Sequence, residues 1–521
     1  MRIVPSARVA AVVAALGLVV ACTQSQAADL PTSGSVAPGA VAGSGDGAAA
    51  PGADGATGPA STTSTTAFVP TTTTPPPGLR ATSGGCPASA RQGLLPSAPR
   101  PTVPPATAPT TTRPSTPGAP PTAPAPTAPS TTTTTTPTPE SLLSSLRTDE
   151  RLAGATVSVS IWVDGWGEVV AENPDTALIP ASNQKLYTAV GALTLLDPNE
   201  RLHTDVVATG PIVDGVVRGD LVLVGGGDPW LTLNGFSSVD ALAGQVQAAG
   251  ITGVEGSILV DDSRYDDVRS IAGWPADWVH SVGPLSALSA DHNMYAKDDP
   301  AVLADPAQRL GEVLGFALTA RAVPVAGGVR HGSVPAAGGT RLARIDSPTI
   351  SELVTELLLH SDNLIAELLT KEIGARAGGV PGTTAAGLAA IARVTDLLCG
   401  PQAGVSVDGS GLSYGNEHSA RDLRRMLQAA ALSPWGSTYV GHLPVAGAPG
   451  VLGGRLADAP TAGRVRAKGG TLAVSRSLSG YLTTVGGRSG VFSIIVNGPA
   501  LNRNAEAAID DLVTSVVSMP G

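Results

Sequence analysis

Lysine is scarce in this chain. Of its 32 basic residues only four are lysines: Lys185, Lys297, Lys371 and Lys468. A protein that prefers Arg so strongly keeps Lys where a compact amine, able to lose its proton, has work that Arg cannot do. For Lys297 and Lys371 compositional bias is the simpler account. A basic stripe is also missing, and the net charge is -10. Nucleic-acid partners are thereby excluded, because phosphate neutralisation needs clustered Lys and Arg. Cysteine is nearly absent too, at three residues, Cys22, Cys86 and Cys399. None has metal-ligand spacing, so neither a metal site nor a cofactor is expected.

Long apolar runs are equally few. Residues 9–21 are unbroken apolar sequence behind Arg2 and Arg8. That is a charged n-region and a short h-region, too short to span a bilayer comfortably. Residues 1–22 are therefore expected to direct export. Their end, Val19-Val20-Ala21-Cys22, resembles a bacterial lipobox, in which the Cys becomes the lipidated first residue; ordinary cleavage after Ser25-Gln26-Ala27 is the alternative. Membrane contact is expected only through this N-terminal anchor. An oxidising compartment permits a Cys86–Cys399 disulfide, with a buried, reduced Cys399 as the other reading.

Residues 23–138 are Ala, Gly, Pro, Thr and Ser with little charge and almost no large apolar side chains. Such a segment cannot offset the entropy of folding. As a Pro-rich tether it can reach on the order of 300 Å. The folded domain is expected at 139–521. Strands are predicted at 157–162 and 168–172, an apolar helix at 184–196, and a β-rich insertion at about 204–346 with Gly-Gly and Asp-Gly punctuation. A long helix over 349–377 is predicted to break near His360–Asn363. Strands at 464–473, 477–484 and 490–497, then a helix at 504–517, close the chain.

Three short motifs carry chemistry. Ser182-Asn183-Gln184-Lys185 opens a helix, and residues three apart share a face, so the Lys185 amine can reach the Ser182 hydroxyl. A hydroxyl becomes nucleophilic when a base accepts its proton, and an amine serves once burial and a nearby cation make it neutral. Alone the pair is weak: four lysines give one by chance about a quarter of the time. Ser361-Asp362-Asn363 sits at the helix break, where Ser361 can relay a proton to a leaving amine and Asn363 can hold a substrate peptide group; a local helix cap explains it as well. Lys468-Gly469-Gly470-Thr471 lies on a late strand. Lys468 can bind a carboxylate, Gly470 lets substrate backbone approach closely, and the Thr471 N–H can join the Ser182 N–H as an oxyanion hole.

The ordered set is the signature of serine acyl-enzymes that react with penicillin. With it stand Asn173-Pro174-Asp175, Leu178-Ile179-Pro180-Ala181, Gly225-Gly226-Gly227-Asp228-Pro229, Asp262-Ser263-Arg264-Tyr265-Asp266 and Ser286-Ala287-Leu288-Ser289. Further on come Asp408-Gly409-Ser410-Gly411-Leu412-Ser413, Leu443-Pro444-Val445-Ala446-Gly447 and 492–498. Together these resemble the D-alanyl-D-alanine carboxypeptidase/endopeptidase family, the low-molecular-mass class C penicillin-binding proteins, over about residues 140–519.

The resemblance implies an α/β (α+β) chain of the β-lactamase/transpeptidase-like fold, an antiparallel sheet flanked by helices with a β-rich inserted domain. It implies an exported hydrolase that cuts peptidoglycan stem peptides at D-Ala-D-Ala through an acyl-enzyme on Ser182, with β-lactams as covalent inhibitors. Two departures stand out. Gly469 occupies a position where the family usually has Thr or Ser, which removes a hydroxyl that helps hold the substrate carboxylate. The interval from Ser182 to Ser361 is shorter than in the larger members. A catalytically weak or silent wall-bound binding protein, and a β-lactamase or esterase on the same fold, are the rival readings.

Overall fold

The computed structural model describes residues 137–520 except 295–298, 500 and 502. The expected signal segment, Cys22, the expected linker as far as residue 136, Cys86 and Lys297 lie outside the described residues. The first element is helix α1 (Pro139–Arg147), begun by a capping box between Thr138 and Ser141 with Pro at its first position. Strands β1 (Thr156–Val163) and β2 (Gly167–Glu172) follow, then helix α2 (Gln184–Leu195). Next come strand β3 (Arg201–Ala208), strand β4 (Leu221–Gly225), helix α3 (Val239–Ala248), strand β5 (Ile258–Asp261), helix α4 (Pro306–Thr319), strand β6 (Val329–His331) and strand β7 (Thr340–Thr349). Helices α5 (Ile350–Leu359), α6 (Asn363–Gly378), α7 (Thr384–Cys399) and α8 (Ala420–Ala431) make the helical half. Strands β8 (Val465–Leu472), β9 (Ser475–Thr483) and β10 (Ser489–Asn497) and helix α9 (Arg503–Val517) end it.

The main sheet has five strands in the order β8-β9-β10-β1-β2, with every neighbouring pair antiparallel. First and last parts of the domain thus meet at β1–β10. Alternation on β1 sends Val159, Ile161 and Val163 to one face. There they join Ala467, Leu478, Phe492 and Ile494 under α1 and the apolar stripe Ile509, Leu512, Val513 and Val516 of α9. The other face is covered by the helical half, where Leu186, Val190 and Leu193 of α2 meet Leu357, Ile365, Leu369, Ile391 and Met426. α2 is buried on every side from Gln184 to Leu193, so its polar side chains must find partners inside the protein.

Residues 201–349 hold a second sheet, β6-β5-β4-β3-β7, backed by α3 and α4, whose Leu242, Val246, Leu310 and Leu314 pack on Val206, Leu223 and Val260. The segment returning from it packs on α6: Tyr265, Val282 and Leu285 share a small core with Leu364, Leu368 and Leu412. Cys399 is buried at the end of α7, its thiol donating to the Thr395 carbonyl at 3.5 Å. Among the described residues no helix is long and apolar enough to cross a membrane.

Candidate active site

Ser182 lies in a 3₁₀ turn, Ala181–Asn183, that runs straight into α2. Ala181 is fully buried at φ 48°, a left-handed conformation costly for a residue with a Cβ. What holds the turn there is a ladder of serines on β9. Period two puts Ser475, Ser477 and Ser479 on one face. Ser475 Oγ donates to the Ile179 carbonyl and Ser477 Oγ to the Pro180 carbonyl, both at 2.6 Å, and Ser479 Oγ accepts from Asn183 Nδ2 at 2.7 Å. Asn497 of β10 closes the same segment, accepting from Ile179 N at 2.8 Å and donating to its carbonyl at 3.0 Å.

Second residue of α2 and three on from the serine, the fully buried Lys185 places Nζ 3.2 Å from Ser182 Oγ. Nζ also donates to Asn363 Oδ1 and to the Ser410 carbonyl, each at 2.6 Å. Burial lowers its pKa to about 8, against the pull of Asp408, Glu367 and Asp362. Those carboxylates stand behind the amine. Glu367 of α6 accepts from the Gly409 and Ser410 amides at 3.2 and 2.8 Å. Burial first, and then Asp408, pushes its carboxyl up to about 8. Asp408 accepts from the amides of Gly411 and Ser413 and from Asn416 Nδ2. The two acids shape the loop whose carbonyl receives Lys185. Neither is among the residues expected from sequence, although Glu367 lies four residues after Asn363 on α6 and hence on the same face.

Asn363 is the first residue of α6, with Asp362 as its N-cap accepting from Ile365 N at 2.8 Å. Asn363 Nδ2 donates to the Ser281 carbonyl and Asp362 pairs with His292 Nε2 at 2.7 Å, so the segment returning from the second sheet braces this motif at two points. Ser361, half-buried, takes φ 61° in the break between α5 and α6.

Lys468 is buried on β8, its Nζ donating to the Gly469 carbonyl at 2.6 Å. Burial, and then the charge of Lys185, hold its amine well below the usual range. Gly470 touches the Ser182 turn closely: an added Cβ would collide with Ser477 Oγ and lie 2.8 Å from the Pro180 oxygen and 2.9 Å from Ser182 N. The Thr471 side chain is exposed, donating to Glu506 Oε1 at 3.2 Å, so only its backbone is available to the Ser182 side. Lys185 is thus hydrogen-bonded to Ser182 and Asn363, Gly470 abuts the Ser182 turn, Lys468 is near enough for the Lys185 charge to act on it, and Ser361 lies two residues before Asn363 in the helix break. A cavity of about 590 Å³ between α2 and α7, lined by Tyr187, Leu388 and His418, contains none of these residues, so cavity size does not locate the chemistry. Among the described residues no cluster of His, Cys, Asp or Glu could hold a metal ion.

This geometry has relatives. The model of the D-Ala-D-Ala carboxypeptidase 3 (S13) family matches residues 140–301 and 297–516. A D-alanyl-D-alanine carboxypeptidase of Actinomadura sp. (strain R39) is 30% identical over 437 residues, covering 68% of this chain and 80% of its own. A carboxypeptidase of Mycobacterium tuberculosis is 33% identical over 369 residues, covering 66% and 76%. Among solved structures, penicillin-binding protein 4 of Haemophilus influenzae superposes with a TM-score of 0.64 at 20% identity, over 71% of this chain and 97% of that one, a likeness of fold. With the fold, the motifs and these matches together, the chain belongs to the D-Ala-D-Ala carboxypeptidase 3 (S13) family and is a serine-type D-alanyl-D-alanine carboxypeptidase.

Proposed function

We propose that this carboxypeptidase works on peptidoglycan stem peptides through an ester on Ser182, with Lys185 as its base. The observation that carries this is the Lys185 amine, fully buried, lowered to about 8 and 3.2 Å from Ser182 Oγ. In the neutral form Nζ accepts the Oγ proton as Oγ bonds to the carbonyl carbon between two terminal D-alanines. The oxyanion rests on the amides of Ser182 and Thr471. As the C–N bond breaks, Ser361 and Lys185 return the proton to the departing D-alanine, and water then hydrolyses the ester. Asn363 holds the substrate's peptide group while fixing the Lys185 amine.

Lys468 keeps a second positive charge within reach. A substrate carboxylate arriving beside a buried amine favours its charged form, which works against the burial that lowers the Lys468 pKa. The same cation disfavours charge on Lys185. Penicillins acylate Ser182 by the same attack. The family membership and the leader-like residues 1–22 support work outside the cytoplasm, with lipidated Cys22 as the membrane anchor and 23–138 as the tether.

Labelled penicillin tests this directly. Wild type should take one label, mapped by mass spectrometry to the peptide holding Ser182, and should release D-alanine from a D-Ala-D-Ala peptide. Ser182→Ala should do neither. A label on another residue, or an active Ser182→Ala, refutes the assignment.

A further inference from the structure

A neutral Lys185 has two N–H bonds and one lone pair to place, and three oxygens stand around its amine. Two of them are acceptors at 2.6 Å, Asn363 Oδ1 and the Ser410 carbonyl. They take the two protons, which leaves the lone pair for the third neighbour, Ser182 Oγ at 3.2 Å. A base must present its lone pair to the proton it removes. The aim of Lys185 therefore depends on where the Ser410 carbonyl is held.

That carbonyl belongs to a dipeptide clamped along both edges. On one edge Glu367 accepts from the Gly409 amide with Oε2 at 3.2 Å and from the Ser410 amide with Oε1 at 2.8 Å. On the other, α2 holds the carbonyls. Thr188 Oγ1 donates to Gly409 at 2.7 Å, and Lys185, three residues earlier on the same face, donates to Ser410. Gly409 is pressed onto α6, where an added Cβ would run into Thr370 Oγ1 and lie 2.8 Å from the Ala366 oxygen. Glu367 is fully buried, so water cannot replace its two bonds.

We propose that Glu367 is the positioning residue of the general base: by fixing the Gly409 and Ser410 amides it turns the Ser410 carbonyl toward Lys185, and so points the amine's lone pair at Ser182. The inference rests on the Ser182–Lys185 reading above. The other charged or titratable groups facing the amine are Asp408 on the same loop, Asp362 at the start of α6 and Lys468 on β8. Asp408 does not share the task, because its oxygens take Gly411, Ser413, Asn416 and Trp274. Charge alone would act in the opposite direction. Glu367 pulls Lys185 toward its charged form, so losing it would leave more of the amine neutral and speed acylation in acid.

The deciding variant is Glu367→Gln, which keeps the length of the side chain but offers one accepting oxygen where two are needed. Penicillin acylation is followed per folded molecule, with the limiting rate and the half-saturating concentration read separately. The limiting rate should fall about tenfold to a hundredfold, the scale of a misplaced catalytic group. The loss should persist above about pH 9, where most of the wild-type amine is neutral, and the half-saturating concentration should stay at its wild-type value. If Glu367→Gln does not fold, Thr188→Val frees the carbonyl edge of the same dipeptide without changing a charge and carries the same expectation. An unchanged limiting rate, a faster rate in acid, or a loss that lies wholly in the half-saturating concentration overturns the proposal. A wild type that takes no penicillin counts instead against the Ser182–Lys185 reading.

Discussion

An amine with a pKa of about 8 is mostly protonated at neutral pH, roughly nine parts in ten at pH 7. Only the neutral remainder can accept the Ser182 proton, so burial sets the fraction of enzyme ready to react. The second-order rate of acylation by a β-lactam should therefore climb nearly tenfold per unit below about pH 7 and level off above about pH 8. A rate that is flat from about pH 6 to pH 9 would remove Lys185 from the role of base. At this scale the sequence was legible in parts. Ser182 and Lys185 could be paired because three-residue spacing on a helix dictates contact. The adjacent glycines 469 and 470 look alike in sequence, yet their surroundings differ. A Cβ at 470 would run into the Ser182 turn, while at 469 it would meet only ordinary contacts. Which neighbour each glycine faces is a property of packing, which spacing along the chain does not contain.

Among the elements, the break between α5 and α6 does most to shape the site. Its outline could be read beforehand: Thr349 and Glu352 form the capping box that starts α5, and Asp362 caps α6. The left-handed Ser361 and the arrival of His292 could not, since His292 stands 70 residues from Asp362 in sequence. Asp362→Ala removes the cap, a loss of about 0.5–2 kcal/mol, and frees the Asn363 end of α6, so acylation should slow with it. The ion pair adds a pH signature. Its bond to Asp362 raises the His292 pKa above 6.5, despite opposing burial. On Asp362, burial works upward most strongly of any one cause, but His292, the Ile365 amide and Lys185 together outweigh it and hold the carboxyl below 3.8. The imidazolium's contribution is fully present below 6.5 and is lost as pH rises through the higher folded value. The carboxylate's contribution is present above 3.8 and disappears as pH falls through its lower folded value. Thermal melts should thus show the widest gap between wild type and Asp362→Ala in mildly acid solution, narrowing toward alkaline pH. Asp291 and Lys185 also face this pair, and His292→Ala separates their part from that of the imidazole. A gap of constant width would mean that the cap alone matters.

Across the whole domain, the second sheet has to be held against α6 for Ser281 and His292 to reach the site. Sequence patterning marked 204–346 only as β-rich and passed over α3 and α4. Their start signals, Ser238 and Asp305 with Pro306, are hard to tell from turn chemistry in a Gly-rich and Asp-rich stretch. Nor could Lys371 be recognised as more than bias. It is fully buried on α6, where its amine pairs with Asp266 and donates to the Val268 carbonyl at 3.2 Å. Beside it, Glu372 takes a two-point bond from Arg264, at 2.7 and 2.5 Å, and one from Tyr265 at 3.2 Å. One turn of α6 therefore grips residues 264–268 through opposite charges. Asp266→Ala would leave the Lys371 ammonium buried without its partner, which costs about 3 kcal/mol or more. The urea midpoint should drop accordingly, while penicillin acylation per folded molecule keeps the wild-type rate, because Asp266 touches none of Ser182, Lys185 or Asn363. Replacing both partners, Asp266→Leu with Lys371→Met, removes the stranded charge and should recover most of the lost stability. If the double variant is no more stable than Asp266→Ala, the pair is not what fastens this segment, and the apolar contacts of Tyr265, Val282 and Leu285 with Leu364 and Leu368 must hold it instead.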